Sequence, residues 1–275
     1  MVYYSYWKFH FLNPQNNLSR FVFMIQLSVV IITLNEEKNI ARCLNSVKDV
    51  ADEIVIVDSN STDNTETICK SYDARIIQHP FDGYVNQKNY AVSEAKFDYI
   101  LSLDADEVLS EKLLESITKV KQQFDADGYT MNRMTNYAGK WIRHSGWYPD
   151  VKLRLFDRRK GEWTGLIIHE KFELHNNEKT KHLKGDLLHY SFHSIEDHRE
   201  QSEKFTTLGA QADFEKGKKA PFYKIWGGPV VKFIKNYFFN AGFLDGKEGF
   251  IICWISAEAT HTKYMKLKNL YKKNK

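Results

Sequence analysis

The feature that most constrains this chain is a repeated alternation in its first hundred residues. Leu27 to Leu34, LSVVIITL, is an almost unbroken β-branched run, as expected for a strand covered on both faces of a parallel sheet. Ile40, Cys43, Leu44 and Val47 then recur at helical spacing and form one apolar stripe. Glu53–Val57 reads as a second strand, Ala74–Gln78 as a third and Tyr99–Leu103 as a fourth, with helical segments between them. Four strand-helix alternations in roughly 80 residues predict an α/β domain with a mostly parallel sheet and helices on both faces. Locally, Asn35 is placed to cap the first helix with Glu36 and Glu37 in its first turn. Asp63 and Glu66 have the spacing of a capping box for the next.

In such sheets ligands bind at the carboxyl ends of the strands. Those ends carry Thr33-Leu-Asn-Glu36, Asp58, His79 and Asp104-Ala-Asp106, so polar groups are expected to converge on one edge. Residues two apart on a strand share a face, which sets Asp104 and Asp106 side by side. Paired carboxylates repel unless a cation lies near them, and hard oxygen ligands suit Mg²⁺ or Mn²⁺ shared with substrate phosphates. An isolated D-x-D is common; the preceding βα units are what give this one weight. No G-x-G-x-x-G or Walker loop follows the first strand, which counts against a dinucleotide or P-loop enzyme. Asp58-Ser-Asn-Ser-Thr-Asp63 lacks the central glycine and terminal glutamate of a calcium loop.

A net charge of +4 over 275 residues is too mild to indicate a nucleic-acid binder. The three cysteines are widely spaced with no C-x-x-C, which excludes a disulfide framework or zinc ribbon and suits a reducing compartment. Cys43 and Cys69 fall on apolar helix faces and read as packing residues. No stretch approaches the roughly 18 to 20 apolar residues of a membrane span. Residues 1–24 fit neither periodicity, and the pattern clears after Met24, which suggests that Met24 is the true start; a short aromatic membrane anchor is the alternative.

Beyond the fourth strand, Glu111–Phe124 is an amphipathic helix with Leu113, Leu114, Ile117 and Val120 inward, and residues 128–175 read as strands and loops. Trp147, Tyr148 and Trp163 have the rings to stack on a sugar, although core packing is the commoner role of such side chains. From about Ser194 the pattern is helical. Aromatic segments with interleaved lysines, and a tail from His261 to Lys275 rich in lysine and free of acid, suggest an element on an anionic membrane surface. The domains expected are therefore residues 1–24 as an extension, 25–190 as a catalytic unit (25–110 nucleotide-sugar half, 111–190 acceptor half), and 191–275 as a helical, basic, membrane-surface region.

SVVIITLNEEKNI, EIVIVDSNSTDNT and YILSLDADE together resemble the family 2 glycosyltransferases of the GT-A fold, a Rossmann-like nucleotide-binding architecture. GWYPDVKLRLFDRRKGEW, the following IHE and GFLDGKEGF resemble the bacterial lipopolysaccharide core β-1,4-glucosyltransferases; the likeness runs from residue 26 to about 260. The resemblance implies metal-dependent, inverting transfer of a sugar, with glucose as the family default, from a UDP-sugar to a lipid-linked acceptor on the inner face of the bacterial cytoplasmic membrane. It implies Asp106 as metal ligand, Asp104 at the ribose or the metal, and Asp58, Thr33, Asn35 and Glu36 at the nucleoside. Lys88 is placed to reach the diphosphate. Glu170 is the expected general base with Asp150 the alternative, and His169 a third metal ligand or a support for Glu170. Arg154 is assigned to a phosphate or an acidic sugar, with Trp147 and Tyr148 at the acceptor. His189 and His193 form H-x-x-x-H without the context of a zinc site and read as ordinary polar or diphosphate-contacting histidines. Two other classes compete: a sugar nucleotidyltransferase, against which TLNEEKN is neither glycine-rich nor basic, and a non-catalytic membrane scaffold, against which both D-x-D carboxylates are kept.

Overall fold

The computed structural model describes residues 24–165, 170–175 and 179–273. In chain order the elements are β1 (Leu27–Thr33), α1 (Ile40–Val47), β2 (Glu53–Asp58), α2 (Thr65–Cys69), β3 (Arg75–Gln78), α3 (Tyr84–Ser93), β4 (Tyr99–Asp104), β5 (Glu107–Leu109), α4 (Glu111–Gln122), β6 (Gly128–Tyr137), β7 (Lys140–Trp141), β8 (Asp150–Asp157), β9 (Gly161–Thr164), β10 (Lys171–Leu174), β11 (Thr180–Phe192), α5 (Ile195–Glu215), α6 (Phe222–Ile234) and α7 (Gly246–Lys273). The main sheet runs β3-β2-β1-β4-β8-β6-β11-β5, with β7 paired to β6, and β9-β10 forms a separate hairpin.

The expected α/β sheet is present. Its first four strands are parallel, and the rest is mixed: β8 is antiparallel to both β4 and β6, β11 is parallel to β6, and β5 is antiparallel to β11. The strand alternation explains why β1 and β2 read as continuous apolar runs. Leu27, Val29, Ile31 and Ile56 pack with Cys43, Leu44, Leu113 and Ile117 of α1 and α4 on one face. Val30, Val55 and Val57 pack with Ala91 of α3 and with Phe156, Trp163 and Phe172 on the other. Both faces are therefore dry, and all three cysteines are buried and free.

Local caps differ from expectation. The residue at the N-terminus of α1 is Asn39, without a side-chain cap. Asn35 instead takes a left-handed backbone (φ 55) and its side chain accepts from Thr62 N at 2.8 Å, stitching the β1 and β2 loops together. Asp63 receives the Thr65 N–H at 3.0 Å and the Glu37 N–H at 3.1 Å, so it serves two loops and forms no box with Glu66.

After β11 every regular element is helical. α5 opens with a capping box from Ser194 and Asp197 and packs along α7. The basic tail is not a loose charge run: Lys263 pairs with Asp213 at 3.0 Å, Lys266 pairs with Glu203, and Leu267 is fully buried. α6 and α7 form a hairpin joined by a π-helical turn at Lys235–Phe239 and a 3₁₀ turn at Gly242–Asp245. Among the described residues no helix is long and apolar enough to cross a membrane.

GFLDGKEGF is the joint between hairpin and sheet. Asp245, 4% exposed, accepts from Arg143 N at 3.2 Å, His144 N at 2.9 Å and Ser145 Oγ at 3.3 Å. A Cβ at Gly249 would lie 2.0 Å from the Gly242 carbonyl oxygen, so only glycine allows that approach. Asp245→Ala leaves two partly buried backbone donors without their acceptor and should cost about 1–3 kcal/mol in denaturant unfolding; a loss below about 0.5 kcal/mol would show that the joint does not hold the hairpin to the sheet.

Candidate active site

The register of the sheet builds the site. β1, β2 and β4 are parallel and level, with Thr33 opposite Asp58 and Ile32 opposite Asp104, so their carboxyl ends form one edge. β8 runs the other way beside β4, with Leu155 opposite Leu101, which sets Arg154 near the end of β4. β11 pairs with β5 so that His189 lies opposite Glu107. Segments distant in sequence thereby meet at one place.

At its centre is Lys88, 1% exposed on α3. Its Nζ lies 2.9 Å from Asp104 Oδ1 and 3.1 Å from Glu170 Oε1, and 4.6 Å from the centre of the Trp163 ring. Arg154, also buried, donates from Nη2 to Asp104 Oδ2 at 2.8 Å and to Glu107 Oε1 at 2.7 Å. Glu107 has no exposed surface; it also accepts the Asp104 N–H at 3.1 Å and pairs with Arg133 at 3.4 Å. Arg133 continues to Asp150 at 2.8 Å, and Asp150 is held in turn by Lys152 at 3.0 Å. Burial alone would raise the Asp104 carboxyl, but Lys88 and Arg154 outweigh it and hold the group well below the ordinary range.

Asp106 takes a different partner. The turn after β4 breaks the two-residue alternation, and Asp106 Oδ2 lies 3.1 Å from His189 Nε2. Burial raises the Asp106 carboxyl, and His189 more than offsets this. The His189 Nδ1 and Thr33 Oγ1 atoms are buried without a hydrogen-bond partner among the described residues. His193 Nε2 comes within 3.4 Å of Asn39 Nδ2, which donates to Glu36 Oε2 at 2.8 Å. Glu36 has its pKa raised to about 7, mainly by burial; the Asn39 hydrogen bond opposes this, and the charges of Asp106, Asp104 and Asp63 add to it. The Tyr84 phenol, at the start of α3, is raised by burial and then by Asp104, Glu170, Asp106 and Glu36 together. One solvent-facing ring therefore lies in the field of four carboxylates from three chain segments.

Several predicted site residues have partners within the fold. Asp58, 1% exposed, accepts from Ser61 N at 2.8 Å and from Ser61 Oγ, fixing the loop after β2. Trp147 packs against Tyr137, Phe192 and His198, and Tyr148 donates to Asp186 Oδ1 at 2.9 Å. Arg154 is buried in the ion network beneath the edge. Trp163 is buried against Phe156 and Phe172. His169 lies outside the described residues. Sequence reasoning missed Glu107, Arg133, Tyr84 and the meeting of His189 with Asp106; the only prior sign of the last was the H-x-x-x-H spacing.

A divalent cation at this edge would meet few uncommitted donors. Asp104 is already neutralised by two buried cations, whereas Asp106 and His189 offer one carboxylate and one imidazole. Among the described residues no group of three or more His, Cys, Asp or Glu side chains stands ready to hold a metal ion. Such a pair fits Mg²⁺ or Mn²⁺ only where substrate phosphates and water complete the shell, the usual arrangement for these ions.

Two predictions follow from these charges. Removing Arg154 leaves Asp104 and Glu107 under-compensated, so Arg154→Met should destabilise the fold by about 3 kcal/mol or more in urea unfolding; an unchanged midpoint would remove the network from the stability of the edge. Glu36 binds its proton more tightly folded than unfolded. Between the ordinary glutamate value of 4.5 and about 7, stability should therefore fall as pH rises. Thermal melts of wild type against Glu36→Gln should diverge across that window, the variant gaining relative stability toward pH 8; parallel curves would contradict the raised value.

The sequence profile of the Glycosyl transferase family 2 matches residues 28–183. Glycosyltransferase RT0209 of Rickettsia typhi is 31% identical over 262 residues, covering 92% of this chain and 90% of that protein. The lipopolysaccharide core biosynthesis glycosyltransferase LpsC of Rhizobium meliloti is 30% identical over 254 residues, covering 87% and 93%. Among solved structures, residues 1–349 of S. aureus TarS align over 91% of this chain and 92% of that one, with 15% identity and a TM-score of 0.45. Glucosyl-3-phosphoglycerate synthase of Mycobacterium tuberculosis, solved with Mn²⁺ and UDP-glucose, aligns over 41% and 44% with 20% identity and a TM-score of 0.35.

Proposed function

Because this chain belongs to the family 2 glycosyltransferases, we propose that it moves a sugar, glucose by default, from a UDP-sugar to a lipid-linked saccharide with inversion at the anomeric carbon. The observation that carries this reading is the gathering of Glu36, Asp104, Asp106 and Glu170 within the field of Tyr84 at the carboxyl edge of the parallel strands. A nucleotide diphosphate leaving from that edge needs its charge met, and an attacking hydroxyl needs a carboxylate to take its proton.

In this reading the loops that Asp58 and Asn35 hold in shape, after β2 and β1, frame the nucleoside, with Thr33 Oγ1 as an unspent hydroxyl beside it. Asp106 and His189 would hold a divalent cation, Mg²⁺ or Mn²⁺. Such an ion would supply Lewis-acid neutralisation of the diphosphate leaving group. Glu170 accepts the proton of the acceptor hydroxyl as the new glycosidic bond forms and the bond to the diphosphate oxygen breaks. Lys88 positions Glu170 and Asp104 through one ammonium, which fixes the base relative to the donor. Asp150, paired with Arg133 and Lys152, is less free to serve as base. The name of the Rhizobium relative supports lipopolysaccharide core as the acceptor class, and a lipid-linked acceptor places the enzyme peripherally on the inner face of the cytoplasmic membrane.

The test is a thermal-shift screen of nucleotide sugars and nucleoside triphosphates with and without Mn²⁺, followed by turnover of Asp106→Asn. A UDP-sugar at about a hundred times its Kd should stabilise the native state by about 2.7 kcal/mol. Asp106→Asn should stay folded, lose the Mn²⁺-dependent part of the shift, and lose about 10²-fold or more in kcat. A preference for triphosphates, or full metal-dependent turnover in the variant, would overturn the assignment.

A further inference from the structure

Twelve of the eighteen large apolar side chains that stand exposed among the described residues lie between Phe222 and Trp254. α6 buries only Ile225, while Phe222 is 76% exposed, Val231 66% and Phe239 81%, with Trp226, Leu244 and Trp254 also open. Scattered exposed apolar residues are ordinary; a dozen on one helical hairpin mark a surface that something covers. The same stretch carries exposed Lys232, Lys235 and Lys247. From 219 to 257 its only acids are Asp245, buried in the joint with the sheet, and Glu248, paired with Lys140 at 3.1 Å. The face is therefore apolar, aromatic and basic, with no free acid.

From this charge pattern we infer that the α6–α7 hairpin is the membrane-docking surface of the enzyme and that its partner is an anionic bilayer. The inference deepens the reading of a lipid-linked acceptor and rests on it. Trp, Tyr and Phe settle at the headgroup level, and neighbouring lysines meet anionic lipid. A second copy fits less well, since a two-fold contact would set the lysines of each face against a face with no acid to receive them. The hairpin lies on the membrane and does not span it, as no described helix has the length and apolarity to cross. The lysine-rich tail contributes less free charge than its composition suggests, since Lys263 and Lys266 are spent on Asp213 and Glu203 of α5. Because Asp245 fastens the hairpin to the 143–145 loop, docking fixes the tilt of the whole sheet edge against the lipid.

The experiment is co-sedimentation of the full chain with phosphatidylcholine vesicles, with and without phosphatidylglycerol. Wild type should pellet with the anionic vesicles, and added salt should weaken this. The double variant Trp226→Ser, Phe239→Ser should lose at least about tenfold in vesicle affinity, while Lys232→Glu, Lys235→Glu should lose the preference for anionic lipid. These side chains are exposed, so both variants should melt like wild type. Wild type that stays in the supernatant overturns the inference, as do apolar variants that pellet undiminished. A dimer that dissolves with the same substitutions while vesicles go unbound assigns the face to a second copy and overturns it too. The UDP-induced thermal shift is read in parallel on every variant and should be unchanged; its absence from wild type would count against the transferase site while leaving the vesicle result to stand alone.

Discussion

The site depends on one buried ammonium. Lys88 contributes the positive charge that lets Asp104, at the end of a central strand, and Glu170, beyond the β9 strand, share a small volume. Buried ion pairs seldom add much net stability, because desolvation consumes most of the Coulombic gain. Their use here is positional: Lys88 is walled by Trp163, and Arg154 lies 5.4 Å from the same ring, so each cation has few alternative placements. The carboxylates that meet them inherit that rigidity.

Rigidity of this kind explains which parts of the site were legible in the sequence. The strand ends were, because β1, β2 and β4 announce themselves by apolar runs and their polar termini follow at once. The partners of those termini were not. Lys88 was placed at the diphosphate from its position on the helix after Gly83, and nothing in that pattern shows that it is almost fully buried among carboxylates. Arg154 was assigned to a ligand because it sits between two leucines on a strand. The insertion of β8 between β4 and β6 turns it onto Asp104 and Glu107, and no local pattern encodes that topology. Trp147 shows a plainer effect: aromatic side chains near a joint help to fill it, and here one side of the ring packs on Tyr137, Phe192 and His198.

The C-terminal region repeats the lesson with charge. Counted along the chain, the tail is the most basic segment, and composition points to it as the lipid-facing part. Packing redistributes that charge, since α5 presents Glu203 and Asp213 to α7 and absorbs two of the tail lysines. The lysines left in solvent beside a continuous apolar face belong to α6 and the following turn, where no acid lies across the helix interface to meet them.

The balance of charge at the sheet edge argues for a cation arriving with the substrate. Glu36, Asp104, Asp106, Glu107 and Glu170 face the fixed charges of Lys88, Arg154 and Arg133, one of which is shared with Asp150. The deficit appears in Glu36, whose raised pKa of about 7 reflects burial and the nearby charges of Asp106 and Asp104. A diphosphate would deepen it by about two further negative charges, since Lys88, Arg154 and Arg133 are each already paired with carboxylates. A divalent ion held by Asp106 and His189 would supply the missing positive charge, and it would weaken the part of the Glu36 shift that comes from Asp106 and Asp104, leaving the larger part that comes from burial.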